Sequence, residues 1–179
     1  MEIKGYITNL GKYNEGELVG KWITFPIDED ELNEVLKEIC ICHYDEDGEY
    51  IETGYEEYFF TDWESDFDND FGEYVNIDRM NEIAESLQVW EDDSNLFTAA
   101  CEIWNFEEVI NHCPEDYNIY FDVINEYDLG YYWAIESGCY DLSKMGNLEN
   151  YIDYEAFGRD IAFETDGGFT SYGYIEYVG

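Results

Sequence analysis

Three acids at alternate positions, Asp66, Asp68 and Asp70, come nearest to a ligand set in this chain. They match positions 1, 3 and 5 of a helix–loop–helix calcium site, where carboxylates wrap a hard cation. The glycine of such a loop falls one place late, at Gly72, and position 12 is Ile77 rather than Glu. The motif fails at both diagnostic points, which leaves loose condensation of cations on an acidic loop. Cys40-Ile41-Cys42-His43 and His112-Cys113 raise the question of zinc. Paired zinc cysteines are usually separated by two to four residues, and these are separated by one. An incidental or structural role is the plainer reading. Paired carboxylates can act as acid and base, but 45 Asp and Glu among 179 residues make pairs inevitable. Two histidines leave little material for a base–nucleophile dyad. There is no Gly-rich phosphate loop. The chemistry on offer is not that of an enzyme, a metal site or a cofactor site. It is a summed charge.

The elements that carry these residues alternate between strand and helix. Residues 6–10 and 21–25 read as strands, separated by turn chemistry at Asn14-Glu15-Gly16. Over residues 28–39 the period changes: Leu32, Val35, Leu36 and Ile39 form one apolar helix face among Asp28, Glu29, Asp30, Glu31, Glu34 and Glu38. The first four acids favour a helix N-terminus. A third strand is expected within residues 50–61, and residues 62–73 read as a loop of alternating acids. Asn76 or Asp78 is expected to cap a helix carrying Ile77, Met80, Ala84 and Leu87. Short helices follow near residues 94–104 and after Asn105, where Asn105 and Glu108 have capping-box spacing. Residues 117–123 alternate like a strand, residues 125–137 read as a helix stopped by Gly138, and residues 148–162 as another. A terminal strand is expected over residues 169–178. Arg79 and Arg159 are the two arginines, each expected to pair with neighbouring acids, Arg159 with Glu155.

The formal charge of −38 is unevenly laid down. Residues 1–26 are neutral, residues 27–126 carry −30 and residues 127–179 carry −8. The neutral opening argues against an even, halophile-like acidity. With 45% hydrophobic and 19% aromatic residues the chain can build a core, so it is expected to fold despite self-repulsion. Five scattered cysteines, no signal-peptide run and no stretch near ~20 apolar residues predict a reduced, soluble, cytoplasmic protein. Nucleic acid and anionic membranes would be repelled; a basic surface built to hold nucleic acid is the natural partner. Duplex DNA carries one charge per ~1.7 Å, so 38 charges correspond to about 65 Å of duplex. A sphere of this length would be only about 40 Å across, which favours an elongated row. Acids three or four apart on a helix lie about 5–6 Å from each other, comparable to successive phosphates.

Several stretches resemble the ArdA antirestriction proteins. Tyr6-Ile7-Thr8-Asn9-Leu10-Gly11-Lys12-Tyr13-Asn14-Glu15-Gly16, Gly20-Lys21-Trp22 and Phe25-Pro26 are similar to the opening of that family. Tyr55-Glu56-Glu57-Tyr58, Thr61-Asp62-Trp63-Glu64 and Asn81-Glu82-Ile83-Ala84 resemble its middle. Gly130-Tyr131-Tyr132 and the run from Leu148-Glu149-Asn150-Tyr151-Ile152-Asp153-Tyr154 through Glu155-Ala156-Phe157-Gly158-Arg159-Asp160 resemble its end. The resemblance implies an α+β chain folded as an elongated, curved row of three small domains. These are an N-terminal antiparallel sheet plus helix (1–61), an acidic, mainly helical middle domain (62–115) and a C-terminal α+β dimerisation domain (116–179). It implies a homodimer, carried on mobile genetic elements, that mimics DNA in the DNA groove of type I restriction–modification enzymes. The surface expected to meet the partner is distributed over Asp28, Glu31, Glu34, Glu38, Asp45, Asp47, Asp62, Glu64, Asp66, Asp68, Asp70, Glu73, Glu82, Glu85, Asp92, Asp93, Glu107 and Glu108. The rival reading is an acidic module for another basic protein, of the nucleoid or of repair.

Overall fold

A computed structural model describes residues 1–67 and 71–179; Asp68 and Asp70 lie outside the described residues. The chain is mixed α and β, with antiparallel sheets, and falls into two compact units, Met1–Gln88 and Val89–Gly179. Among the described residues no helix is long and apolar enough to cross a membrane.

The first unit is built on a three-stranded sheet in the order β2-β1-β5. β1 (Ile3–Asn9) lies between β2 (Gly20–Phe25) and β5 (Tyr58–Ser65), antiparallel to both. Leu10 belongs not to the first strand but to a short helix, α1 (Leu10–Asn14). Asn9 turns the chain there: its side chain accepts from Lys12 N at 2.9 Å and donates to Ile39 O at 2.9 Å. α2 (Glu29–Glu38) starts at Asp28, whose carboxylate accepts from Glu31 N at 2.8 Å. Its Val35 is buried along with Ile39 just beyond the helix. β3 (His43–Tyr44) and β4 (Tyr50–Ile51) form a minimal hairpin, so the third strand of the main sheet comes later than its sequence suggests. α3 (Ile77–Leu87) is capped by Asn76 and buries Ile77, Met80, Ile83, Ala84 and Leu87. Asn81 ties it to the β2 end by a pair of 2.8 Å bonds with the backbone of Ile27.

The strand β5 corrects the reading of residues 62–65 as part of a loop. Asp62 and Glu64 alternate with Trp63 and Ser65, and that alternation is the period of a strand with one wet face. Trp63 turns to the core side, 4.5 Å from the Phe60 ring and 6.0 Å from that of Phe25. A bulge opposite Tyr6 and Ile7 inserts Thr61 into the ladder and so brings Phe60 and Trp63 to the same face of the sheet.

The second unit pairs a sheet in the order β6-β8-β7 with a helical layer. α4 (Ser94–Ile103) contributes Phe97, Ala99 and Ala100 to the core. α5 (Phe106–Val109) starts at Asn105, whose side chain accepts from Glu108 N at 3.0 Å and donates to the Glu108 carboxylate at 2.5 Å. β6 (Tyr117–Phe121) leads into α6 (Glu126–Tyr131), which continues as a π-helical turn, Tyr132–Glu136, and stops before Gly138 at φ +73°. α7 (Tyr154–Glu164) begins later than the sequence suggests, because Asp153 accepts from Ala156 N and restarts the chain after a 3₁₀ stretch at Gly146–Tyr151. The terminal strand is a hairpin, β7 (Gly167–Thr170) and β8 (Gly173–Tyr177), because Gly173 at φ +141° closes a turn inside it. Leu129, Val123 and Tyr174 form one buried cluster of this unit, with Tyr120, Tyr132, Trp133 and Ile161 packed around them.

Candidate acidic interaction surface

Of the 18 acids singled out above, 16 lie among the described residues, and every one of them except half-buried Asp45 is exposed. In the first unit they sit on four kinds of support. Asp28 caps α2, and Glu31, Glu34 and Glu38 are exposed along it, while Val35 is the residue of that helix that is buried. Asp45 organises the β3–β4 turn, its carboxylate accepting from Asp47 N at 3.0 Å and Glu49 N at 2.9 Å, while Asp47 points to solvent. Asp62 and Glu64 occupy the wet face of edge strand β5 at a spacing of about 6.6 Å. Asp66 follows them, accepting from Glu2 N at 2.8 Å, and Glu73 lies beside the strand, its carbonyl taking Phe60 N at 2.8 Å. Glu82 and Glu85 lie on the exposed side of α3. In the second unit Asp92 and Asp93 lead into α4, and Glu107 and Glu108 open α5.

Every one of the seven cationic side chains is already engaged. Lys4 meets Glu2 at 2.6 Å, Lys21 meets Glu38 at 2.7 Å and Lys37 meets Glu34 at 3.5 Å. Arg79 meets Glu82 at 3.2 Å, Lys144 meets Asp141 at 3.0 Å and Arg159 meets Glu155 at 3.5 Å, the pairing its i−4 spacing suggested. Lys12 sits between Glu15 at 3.1 Å and Glu17 at 3.5 Å. Tyr55 and Glu15 hold its ammonium protonated above the usual lysine range, and Lys12 in turn holds the Glu15 carboxyl below the usual carboxylate range. Such surface pairs contribute little stability. Their consequence is that no cation among these residues is left to mask the surplus acids.

Acids passed over in the sequence, among them Glu52, Glu56, Glu57 and Glu91, are exposed as well. Among the described acids only Glu176 is buried, and it is satisfied there by Tyr120 Oη at 2.6 Å and Asn118 Nδ2 at 3.2 Å. The cysteines and histidines form no site: Cys40, Cys113 and Cys139 are exposed, His43 bonds the backbone of Ile41, and His112 bonds Tyr117 and stacks on Tyr177. No group of three or more described His, Cys, Asp or Glu is placed to hold a metal ion.

A chain whose surface is carboxylate and whose cations are paired presents a strongly negative surface. The family model for antirestriction protein (ArdA) matches residues 5–176, nearly the whole chain. The chain belongs to the ArdA family. No curated protein matches the sequence. ArdA antirestriction proteins are inhibitors rather than enzymes, and their function is directed at restriction–modification enzymes. In this ArdA chain, two glycines of the C-terminal blocks have a packing role. Gly130 and Gly158 sit where α6 and α7 cross, so tightly that a Cβ on Gly158 would stand 1.8 Å from Glu126 O and one on Gly130 1.9 Å from Tyr154 O.

Proposed function

We propose that this ArdA chain is a DNA mimic that occupies the DNA-binding groove of type I restriction–modification enzymes and inhibits them by competition. The observation that carries the reading is the near-complete exposure of the acids on α2, β5, α3 and α5, with all seven cations already paired to acids. The enzyme's Lys and Arg groups meet carboxylates at spacings close to those of phosphates. No base edge is offered, so inhibition ignores the enzyme's recognition sequence. The elongated row of three small domains belongs to this reading, since charge at DNA density needs a long surface. So do a cytoplasmic location, carriage on mobile genetic elements, and the lack of binding to nucleic acid or membranes. Dimerisation through the last third is favoured by its lower charge and by Phe163 and Tyr151, which are 90% and 83% exposed. Sedimentation showing only monomer at tens of micromolar would remove the dimer.

Titration of the purified protein into cleavage by several type I enzymes tests the core claim. Near-stoichiometric inhibition that is indifferent to recognition sequence is expected. Unchanged cleavage at micromolar excess, with capture of a nucleoid or repair protein instead, would assign the surface to another basic partner.

A further inference from the structure

The second unit holds a cleft of about 520 Å³ that none of the acids singled out from the sequence line. It opens beside the end of β6 and the helical segment that follows, and is walled by Tyr120, Tyr131 and Tyr132 together with Asp122, Asp128 and Glu136. Its volume falls within the ~300–1,000 Å³ usual for sites that enclose a ligand group. Neither lysine nor arginine is among the described residues that line it.

Two independent features of this lining favour a cation. The carboxylates supply charge from different supports: Asp122 from the turn after β6, Asp128 from α6 and Glu136 from the end of the π turn. The tyrosines supply ring faces, with Tyr120 and Tyr132 centroids 4.9 Å apart at 57°. Tyr120 has its hydroxyl committed to Glu176 at 2.6 Å, so that hydroxyl proton is not available to a ligand. Ring faces attract cations, and carboxylates accept their hydrogen bonds. A planar guanidinium satisfies both at once, stacking on a ring while its fork bonds a carboxylate, whereas an ammonium is a point charge.

We infer that this cleft receives one arginine side chain of the bound partner, its guanidinium against the tyrosine rings and bonded to Asp122, Asp128 and Glu136. The inference rests on the proposed function in taking the partner to be a basic nucleic-acid-binding protein. On the open acidic faces, attraction is a summed field with no fixed register. The cleft adds one fixed point, which sets how the inhibitor is seated.

The test uses the full chain and two probes, N-acetyl-arginine methylamide and its lysine counterpart, followed by backbone NMR shifts. Saturable changes concentrated on residues 119–136 are expected, with arginine binding about tenfold tighter than lysine. Asp122 has φ +69°, a conformation Asn tolerates as Asp does, so Asp122→Asn keeps the turn. Combined with Glu136→Gln it should weaken arginine binding at least about tenfold. The charge-matched control, Glu115→Gln with Glu164→Gln, removes two exposed acids elsewhere and should leave it unchanged. Small shifts spread over all exposed acids, or equal binding by the cleft variant, would overturn the inference. In the restriction titration, a cleft variant as potent as the wild type overturns it too while leaving DNA mimicry standing. If the wild type fails to inhibit, mimicry falls, and the arginine probe still decides the cleft.

Discussion

Replacing Gly158 by Ala should unfold the second unit about 10 °C early. The added Cβ would lie 1.8 Å from the carbonyl oxygen of Glu126, 2.7 Å from its carbon and 2.7 Å from Gly130 N. All three are backbone atoms, so no side chain can swing aside. Bringing the closest contact to even a tight 3.0 Å moves α7 away from α6 by more than about 1.2 Å. A radial gap of ~0.5–1 Å already forfeits a quarter to a half of a contact's dispersion energy. The contacts in question are those of buried Leu129 and the Ile161 packed near it. Overpacking of this kind costs about 3 kcal/mol at the upper end of its usual range. Alanine's helix preference over glycine returns about 1 kcal/mol. The net loss of about 2 kcal/mol corresponds to roughly 8–16 °C in a unit of this size. Thermal melts by circular dichroism measure it. Gly138→Ala serves as contrast: its φ is +73° but nothing stands within 4 Å, so strain alone costs about 1 kcal/mol. A Gly158→Ala melting temperature equal to or above that of the wild type would refute the backbone-contact argument. Below its melting point the variant keeps every exposed acid, so inhibition should persist.

The remaining predictions concern charge. Single changes such as Glu34→Gln or Glu85→Gln should weaken inhibition by less than about fivefold, because each removes one contact among many; abolition by any one of them would point to a discrete site. Raising NaCl from about 0.1 to 1 M shortens the screening length from ~10 to ~3 Å, so the melting temperature should rise while inhibition weakens; a melting temperature that falls with salt would mean that attractive pairs dominate the surface. Burial raises the pKa of Tyr117 and Tyr174, and burial with the bond to Glu176 raises that of Tyr120. A raised tyrosine favours the fold only while neutral, so the stability it lends is intact below pH ~10 and is lost above it. Melts from pH 8 to 11, read beside tyrosinate absorbance, should show stability falling above pH ~10, and a flat profile would contradict it.

Much of the chain was legible where its signals are local. The α2 face and its Asp28 cap follow from a 3.6-residue period and one short side chain. The pairing of Arg159 with Glu155 follows from helix spacing. The family was legible too, from blocks of residues of which the last includes Gly158, needed where α6 and α7 cross. Where local reading failed, a distant partner made the decision. Asp62 and Glu64 look like loop until β1 pairs with that segment and gives Trp63 a core to face. The terminal Tyr- and Gly-rich segment is one strand by composition and a hairpin by Gly173. By itself the sequence determined the sign and quantity of charge, the family, and most helices, because each depends on residue type or on neighbours within a turn. Only the tertiary structure decided which acids are wet, that every cation is consumed, and that Asp122, Asp128 and Glu136 converge with three tyrosines on one cleft. Those are properties of surfaces, and a surface exists only after segments far apart in the chain have packed.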